Sequence, residues 1–211
     1  MTSFYPSGNA LRRAVGSLRH EGLGTFAYKL ASEAGFRRVL LLERPLDEPI
    51  ADTASALPVE FAPLGEREID DYLSHRPDAD RARILARMAS GDTCFTLRHE
   101  GRIVSSCWSS GPGCWSGYLE CAMPIAEGDA YLLDAWTDAA YRGRGLAHVL
   151  CLHQLRHLRA NGLRRALRGT VPENRSALRV HAKSGFRPIA MLGRLRVGPW
   201  RWHFRRDWRD A

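Results

Sequence analysis

An apolar strand, a glycine-rich turn and a long helix follow one another between Ala130 and Ala160, and that succession constrains the chain's fold more than any other feature. Ala130–Thr137 is an apolar run of strand length, and Gly145–Ala160 has helical character and closes on Asn161-Gly162. Between them stands Arg142-Gly143-Arg144-Gly145-Leu146-Ala147. A turn of this kind leaves backbone N–H groups unpaired and aims them at one point, where the helix dipole adds positive potential. A pyrophosphate is the natural guest of such a place. Gly143 and Gly145 put no Cβ in its way, and Arg142 and Arg144 add charge-assisted bonds. The plainer reading is a tight turn whose glycines serve geometry alone. Two other phosphate loops do not fit. No Lys-Ser/Thr pair follows the glycines, as a Walker loop requires, and His148 stands where a dinucleotide fingerprint needs its third glycine.

The rest of the chain from Pro58 onward alternates strands and helices. Strands are expected at 59–62, 93–98, 102–108, 118–122, 130–137, 165–171, 186–191 and 195–204. Helices are expected at 66–73, 79–88, 145–160 and 173–184. This pattern predicts an α/β chain built on a mixed sheet. Before it, residues 1–34 show helical periodicity, 36–42 could pair as a strand, and the proline-containing stretch 44–57 reads as a linker. The expected division is therefore an N-terminal helical extension over 1–55 and one domain over 56–211.

Charge and cysteine usage narrow the function classes. The 211 residues carry a formal net charge of +8, which favours an anionic ligand or partner. Lys29 and Lys183 are the only lysines, so the arginine excess reflects codon bias as readily as nucleic-acid binding. Five cysteines without a CxxC pair or a secretory leader read as free, buried thiols, not as a metal or redox centre. No window approaches the ~18 apolar residues of a membrane helix, so no membrane role and a cytoplasmic location are expected. His153 and His157 stand four apart on a helix but lack the glutamate of a zinc motif and read as a solvated face.

The turn and a second block together carry a resemblance. Arg142-x-x-Gly145-x-Ala147 is similar to the R/Q-x-x-G-x-G/A signature of the GCN5-related N-acetyltransferase (GNAT) superfamily. Asn174-Arg175-Ser176-Ala177 through Lys183-Ser184-Gly185-Phe186 resembles that family's N-x-x-A…K-x-G-F helix and turn. The likeness spans residues 58–204 and is close over 131–187. It implies a sheet whose fourth and fifth strands, here 130–137 and 165–171, splay apart. It implies acetyl-CoA or another acyl-CoA as co-substrate, with no metal. The pantetheine arm would pair with the backbone at Trp136 and Thr137, and the pyrophosphate would rest on Arg142, Gly143, Arg144, Gly145, Leu146 and Ala147. Asn174 would touch the cofactor.

The implied reaction is acyl transfer to an amine of a small molecule. It needs positioning, carbonyl polarisation and the removal of one proton. Asp134 and Glu120 are the candidate bases, each acting through water, or else ordinary surface carboxylates. The family's thiolate acid is a tyrosine at the position of His181. The histidine could donate the proton, or water could do so. Two rival readings stand beside this one: a transferase of the same fold that takes aminoacyl-tRNA as donor, and a CoA-binding module without catalysis. The C-terminal run Trp200-Arg201-Trp202-His203-Phe204-Arg205-Arg206 bears on the tRNA reading. Its period of two equally suits a last strand with the aromatics facing the core. A homodimer is compatible with the sequence.

Overall fold

In the computed structural model Ser32 and residues 35–208 are described, so the helical extension expected over 1–34 lies outside the described residues. The strands are β1 (Phe36–Pro45), β2 (Glu60–Pro63), β3 (Thr93–His99), β4 (Arg102–Ser110), β5 (Trp115–Ser116), β6 (Cys121–Ala122), β7 (Asp129–Thr137), β8 (Arg165–Thr170), β9 (Arg187–Val197) and β10 (Trp200–Asp207). The helices are α1 (Ile69–His75), α2 (Arg81–Ala89), α3 (Leu146–Ala160) and α4 (Arg175–Lys183). Eight strands form one sheet in the order β10-β9-β1-β8-β7-β4-β3-β2, while β5 and β6 make a small hairpin. Only β7 and β8 run parallel; their register runs from Asp129↔Arg165 to Leu132↔Arg168 and stops there.

Alternation along the strands sorts the helices onto the two faces. Phe95, Leu97, Val104, Cys107, Ala130, Leu132 and Ala166 point to one face, where Leu146, Leu150 and Leu155 of α3 cover them. Leu178 of α4 joins that layer. Cys94, Ile103 and Trp108 point the other way and meet Ile69, Tyr72 and Ile84 of α1 and α2. On the same face, Leu119 and Met123 beside the small hairpin cover Tyr131, Leu167, Leu41 and Val39.

Three expectations need correction. The strand expected over 36–42 continues to Pro45, into the stretch read as a linker. β1 lies inside the sheet, pairing with β8 on one side and β9 on the other, and Leu41, Leu42 and Leu46 are buried. The last two strands turn at Gly198, not between 191 and 195: β9 runs unbroken through Gly193, because the Phe204 ring lies over that glycine where a Cβ would clash. The β10 aromatics do share a face, but Trp200 and Trp202 are 67% and 54% exposed instead of lying in the core.

Candidate functional site

The turn at 142–147 has the geometry that its sequence implies. Gly143 and Gly145 take φ of 78° and 77°, the left-handed region in which a side chain costs energy. No heavy atom lies within 4 Å of where a Cβ would stand on either, so the space above them is open. Gly145 caps α3, and its carbonyl accepts from His148 and Val149. Among the described residues the N–H groups of 143–147 meet no protein acceptor. These amides face solvent at the start of a helix of 15 residues. Arg142 and Arg144 are exposed beside them, Arg142 lying over the Trp136 ring and Arg144 over Tyr141. Orphan amides, a helix N-terminus and two cations fit a pyrophosphate.

The cradle opens onto a gap in the sheet. Beyond Leu132 and Arg168, β7 and β8 no longer pair, while β7 stays bonded to β4 as far as Ser105↔Thr137. One edge of β7 from Leu133 to Thr137 is thus left without a strand partner. An extended ligand with amide groups can take the place of the missing strand. Trp136 and Thr137 stand on this segment, and both are fixed from the β4 side. Ser105 Oγ donates to the Trp136 carbonyl at 3.0 Å and lies 3.0 Å from Thr137 Oγ1.

The carboxylates expected as bases fall in different settings. Asp134 sits where β7 bulges against β4, at φ 54°. Arg76 Nη1 donates to it at 3.0 Å and Arg87 Nη1 at 3.4 Å. Arg76 is buried, also bonds Asp78, and lies 4.7 Å from the Trp136 ring centre. Arg87 in turn holds Asp92, to which Ser110 donates. Glu120 is not on a strand. It stands in the turn before β6 at φ 54°, where it ion-pairs with Arg194 and, at 3.5 Å, with Arg201. The Arg194 hydrogen bond holds its carboxyl below the usual range, which weakens it as a base.

His181 is buried beneath α4 against Phe186. Burial, then the charge of Arg168, lowers its pKa to about 3. The ring is therefore neutral at physiological pH and carries no imidazolium proton to give to a thiolate. Asn174 caps α4: its Oδ1 accepts from Ala177 N–H at 3.1 Å, which commits that oxygen to the helix. The helix-face histidines are half-buried: His153 stacks on Phe61 at 5.1 Å and His157 meets Phe95 edge-on at 4.9 Å.

Sequence reasoning missed Arg76, Arg87 and Arg168. Arg76 and Arg87 have local partners in Asp78 and Asp92, but nothing local signals Asp134, which lies 58 and 47 residues from them. Arg168 did give one: in Arg165-Ala166-Leu167-Arg168 it shares the inward face with Ala166, an unusual place for a charge.

Similarities to known proteins agree with this geometry. The sequence model of the acetyltransferase (GNAT) family matches residues 61–186. No curated protein matches the sequence. Among solved structures, an acetyltransferase from the GNAT family of Novosphingobium aromaticivorans is 20% identical at a TM-score of 0.52, covering 75% of this chain and 65% of its own. A GCN5-related N-acetyltransferase from Sphaerobacter thermophilus is 17% identical at 0.54, covering 87% of this chain and 56% of its own. The ribosomal-protein-S18-alanine N-acetyltransferase of Escherichia coli is 13% identical at 0.50, with 62% and 78% covered. This chain thus spans under two thirds of the first two structures.

Proposed function

The chain belongs to the acetyltransferase (GNAT) family, and from that premise we propose that it moves an acetyl group from acetyl-CoA to an amine of a small molecule, in the cytoplasm. One observation carries the reading: the open amide cradle at 143–147 adjoins an unpaired edge of β7. Together they offer a phosphate site and a strand-like slot in the order that a nucleotide-linked pantetheine arm needs.

The donor supplies a carbonyl already activated as a thioester. The protein's tasks are to hold it, to place the amine and to take one proton. The amides of Gly143 to Ala147 and the guanidinium groups of Arg142 and Arg144 bind the phosphates. The backbone of Trp136 and Thr137 aligns the arm, and the Trp136 ring has Arg76 at 4.7 Å and Arg142 at 5.3 Å from its centre. Asp134 is the base in this reading, relaying the ammonium proton through water. It stands at the β7 bulge beside the gap, and each oxygen has room for a donor beyond its arginine. Glu120 is the weaker candidate because it stands off the β7 edge, in the turn before β6, where Arg194 holds its carboxyl below the usual range. Asn174 acts through the helix that it caps, and the thiolate takes its proton from water.

The experiment is thiol release from acetyl-CoA with a panel of amines, alongside calorimetry with CoA. Micromolar CoA affinity with turnover of at least one amine supports the proposal. CoA affinity without turnover would point to a binding module, and no CoA affinity would sink it.

A second reading, with aminoacyl-tRNA as donor, draws on exposed Trp200 and Trp202 beside exposed Arg201, Arg205 and Arg206 on β10. Stacking rings among cations suit single-stranded nucleic acid. Binding of charged tRNA that collapses with salt would favour it.

A further inference from the structure

A buried charge with no counter-ion among the described residues stands at the closed end of the gap. Arg168 is 6% exposed. Its Nη2 donates to Cys107 Sγ at 3.3 Å, and its buried Nε meets no acceptor. Among the described residues no carboxylate faces it. The groups around it are Cys107 of β4, Tyr131 of β7, Cys151 of α3, His181 of α4 and the Phe186 ring, whose centre lies 5.7 Å from the guanidinium carbon. Gln154 of α3 lies in the same layer. Its amide nitrogen donates to the Cys107 carbonyl, and its buried Oε1 meets no donor. His181 Nδ1 is unpartnered too. A guanidinium keeps its proton in any protein setting, and a buried charge is ordinarily paired. Among the described residues Arg168 has no counter-ion.

Position says what the partner is. Arg168 is the last residue of β8 in register with β7, opposite Leu132. Cys107 Sγ, which it touches, also lies 3.5 Å from the Leu133 carbonyl, at the first unpaired residue of β7. An arm that enters from the 143–147 cradle and fills the gap brings its reactive end to this closed end.

Resting on the acyl-transfer reading above, we propose that Arg168 is a catalytic residue whose guanidinium holds the negative charge of the departing CoA sulfur. In the step, the amine nitrogen forms a bond to the carbonyl carbon and the carbon–sulfur bond breaks. Sulfur keeps that electron pair and leaves as a thiolate, while the surplus ammonium proton passes to water at the Asp134 side. No protonated acid is needed at the sulfur. Burial first, and then the same charge that steadies the thiolate, keeps His181 neutral. The inward cation at Arg168 and a histidine at the position of the family's tyrosine are then one arrangement: charge stabilisation in place of proton donation.

The test titrates free CoA bound to the protein, following the ultraviolet absorbance of its thiolate. Native protein should lower the thiol pKa of bound CoA by about one unit or more, a ~10-fold preference for the anion. Arg168→Lys should keep part of that shift and Arg168→Met should lose it. S-methyl-CoA, which cannot ionise, should bind all three alike. Turnover should fall by about 10²–10³ in Arg168→Met, the scale of one lost charge-stabilising donor. An undepressed thiol pKa in the native complex overturns the proposal without any variant, so a misfolded Arg168→Met leaves the test intact. Equal thiol pKa values in native and Met proteins overturn it as well. Failure of the native protein to bind S-methyl-CoA overturns instead the acyl-CoA reading on which it rests.

Discussion

In the proposed cradle Gly145 has both a structural and a functional part. Its φ of 77° strains any side chain by roughly 1–2 kcal/mol, yet no protein atom lies within 4 Å of the missing Cβ. Gly145→Asp should therefore melt only modestly earlier than the native protein. It should nevertheless lose CoA affinity by ~10-fold or more, at least about 1.4 kcal/mol, since the carboxylate would occupy the phosphate space. Calorimetry beside a thermal melt reads both; unchanged affinity would remove the cradle from the account. His181 and His75 make a second prediction. Burial first, then Arg168 and Arg76 respectively, lowers their pKa values to about 3 and about 4. The unfolded chain takes up these protons at higher pH than the folded one. The stabilisation is complete above the unfolded value of 6.5 and is lost as pH falls toward 4. Each ring contributes a slope of up to about 1.4 kcal/mol per pH unit, and His75→Gln should flatten the curve of denaturant midpoint against pH. Residue identity was the more legible part of the site where chemistry is local, as in the glycines of the cradle. It was less legible where a partner is remote. Nothing near Glu120 in the chain announces Arg194, and the role of Asn174 as a cap competes with contact to a ligand.

α3, α4, β7 and β8 were readable because each carries its own periodicity and its own stop signal, such as Asn161-Gly162 and Gly185. β1 was readable as a strand over 36–42, but its place inside the sheet was not, because sheet position is set by partners at 165–170 and 187–195 that no local pattern names. Its insertion yields a prediction. Deleting residues 1–45 removes a strand bonded on both edges and the buried Leu41 and Leu42, so the remainder should fail to melt cooperatively. A stable, cooperatively melting 46–211 fragment would show β1 to be an accessory. β10 is the opposite case, an edge strand whose side chains are exposed throughout. Replacing Arg201, Arg205 and Arg206 with Gln should leave activity with acetyl-CoA within a few-fold, provided Trp200, Trp202 and Phe204 stay. Loss of activity in a folded variant would move the donor toward tRNA.

The whole molecule brings the site together by parting two strands. Helices on one face hold the cradle; α1, α2 and the small hairpin on the other carry Arg76, Arg87 and Glu120; and the gap between β7 and β8 joins the two sides. A net charge of +8 draws a polyanionic donor toward this opening, so association should slow with added salt. Among the described residues no helix is long and apolar enough to cross a membrane. The central claim is that acyl-CoA rests on the amides of 143–147 and completes the unpaired edge of β7. Amide hydrogen exchange with and without acetyl-CoA tests it directly. The account predicts that peptides covering 133–137 and 143–147 become protected together while β10 stays unchanged. Protection confined to β10, or none in either segment at saturating acetyl-CoA, would contradict it.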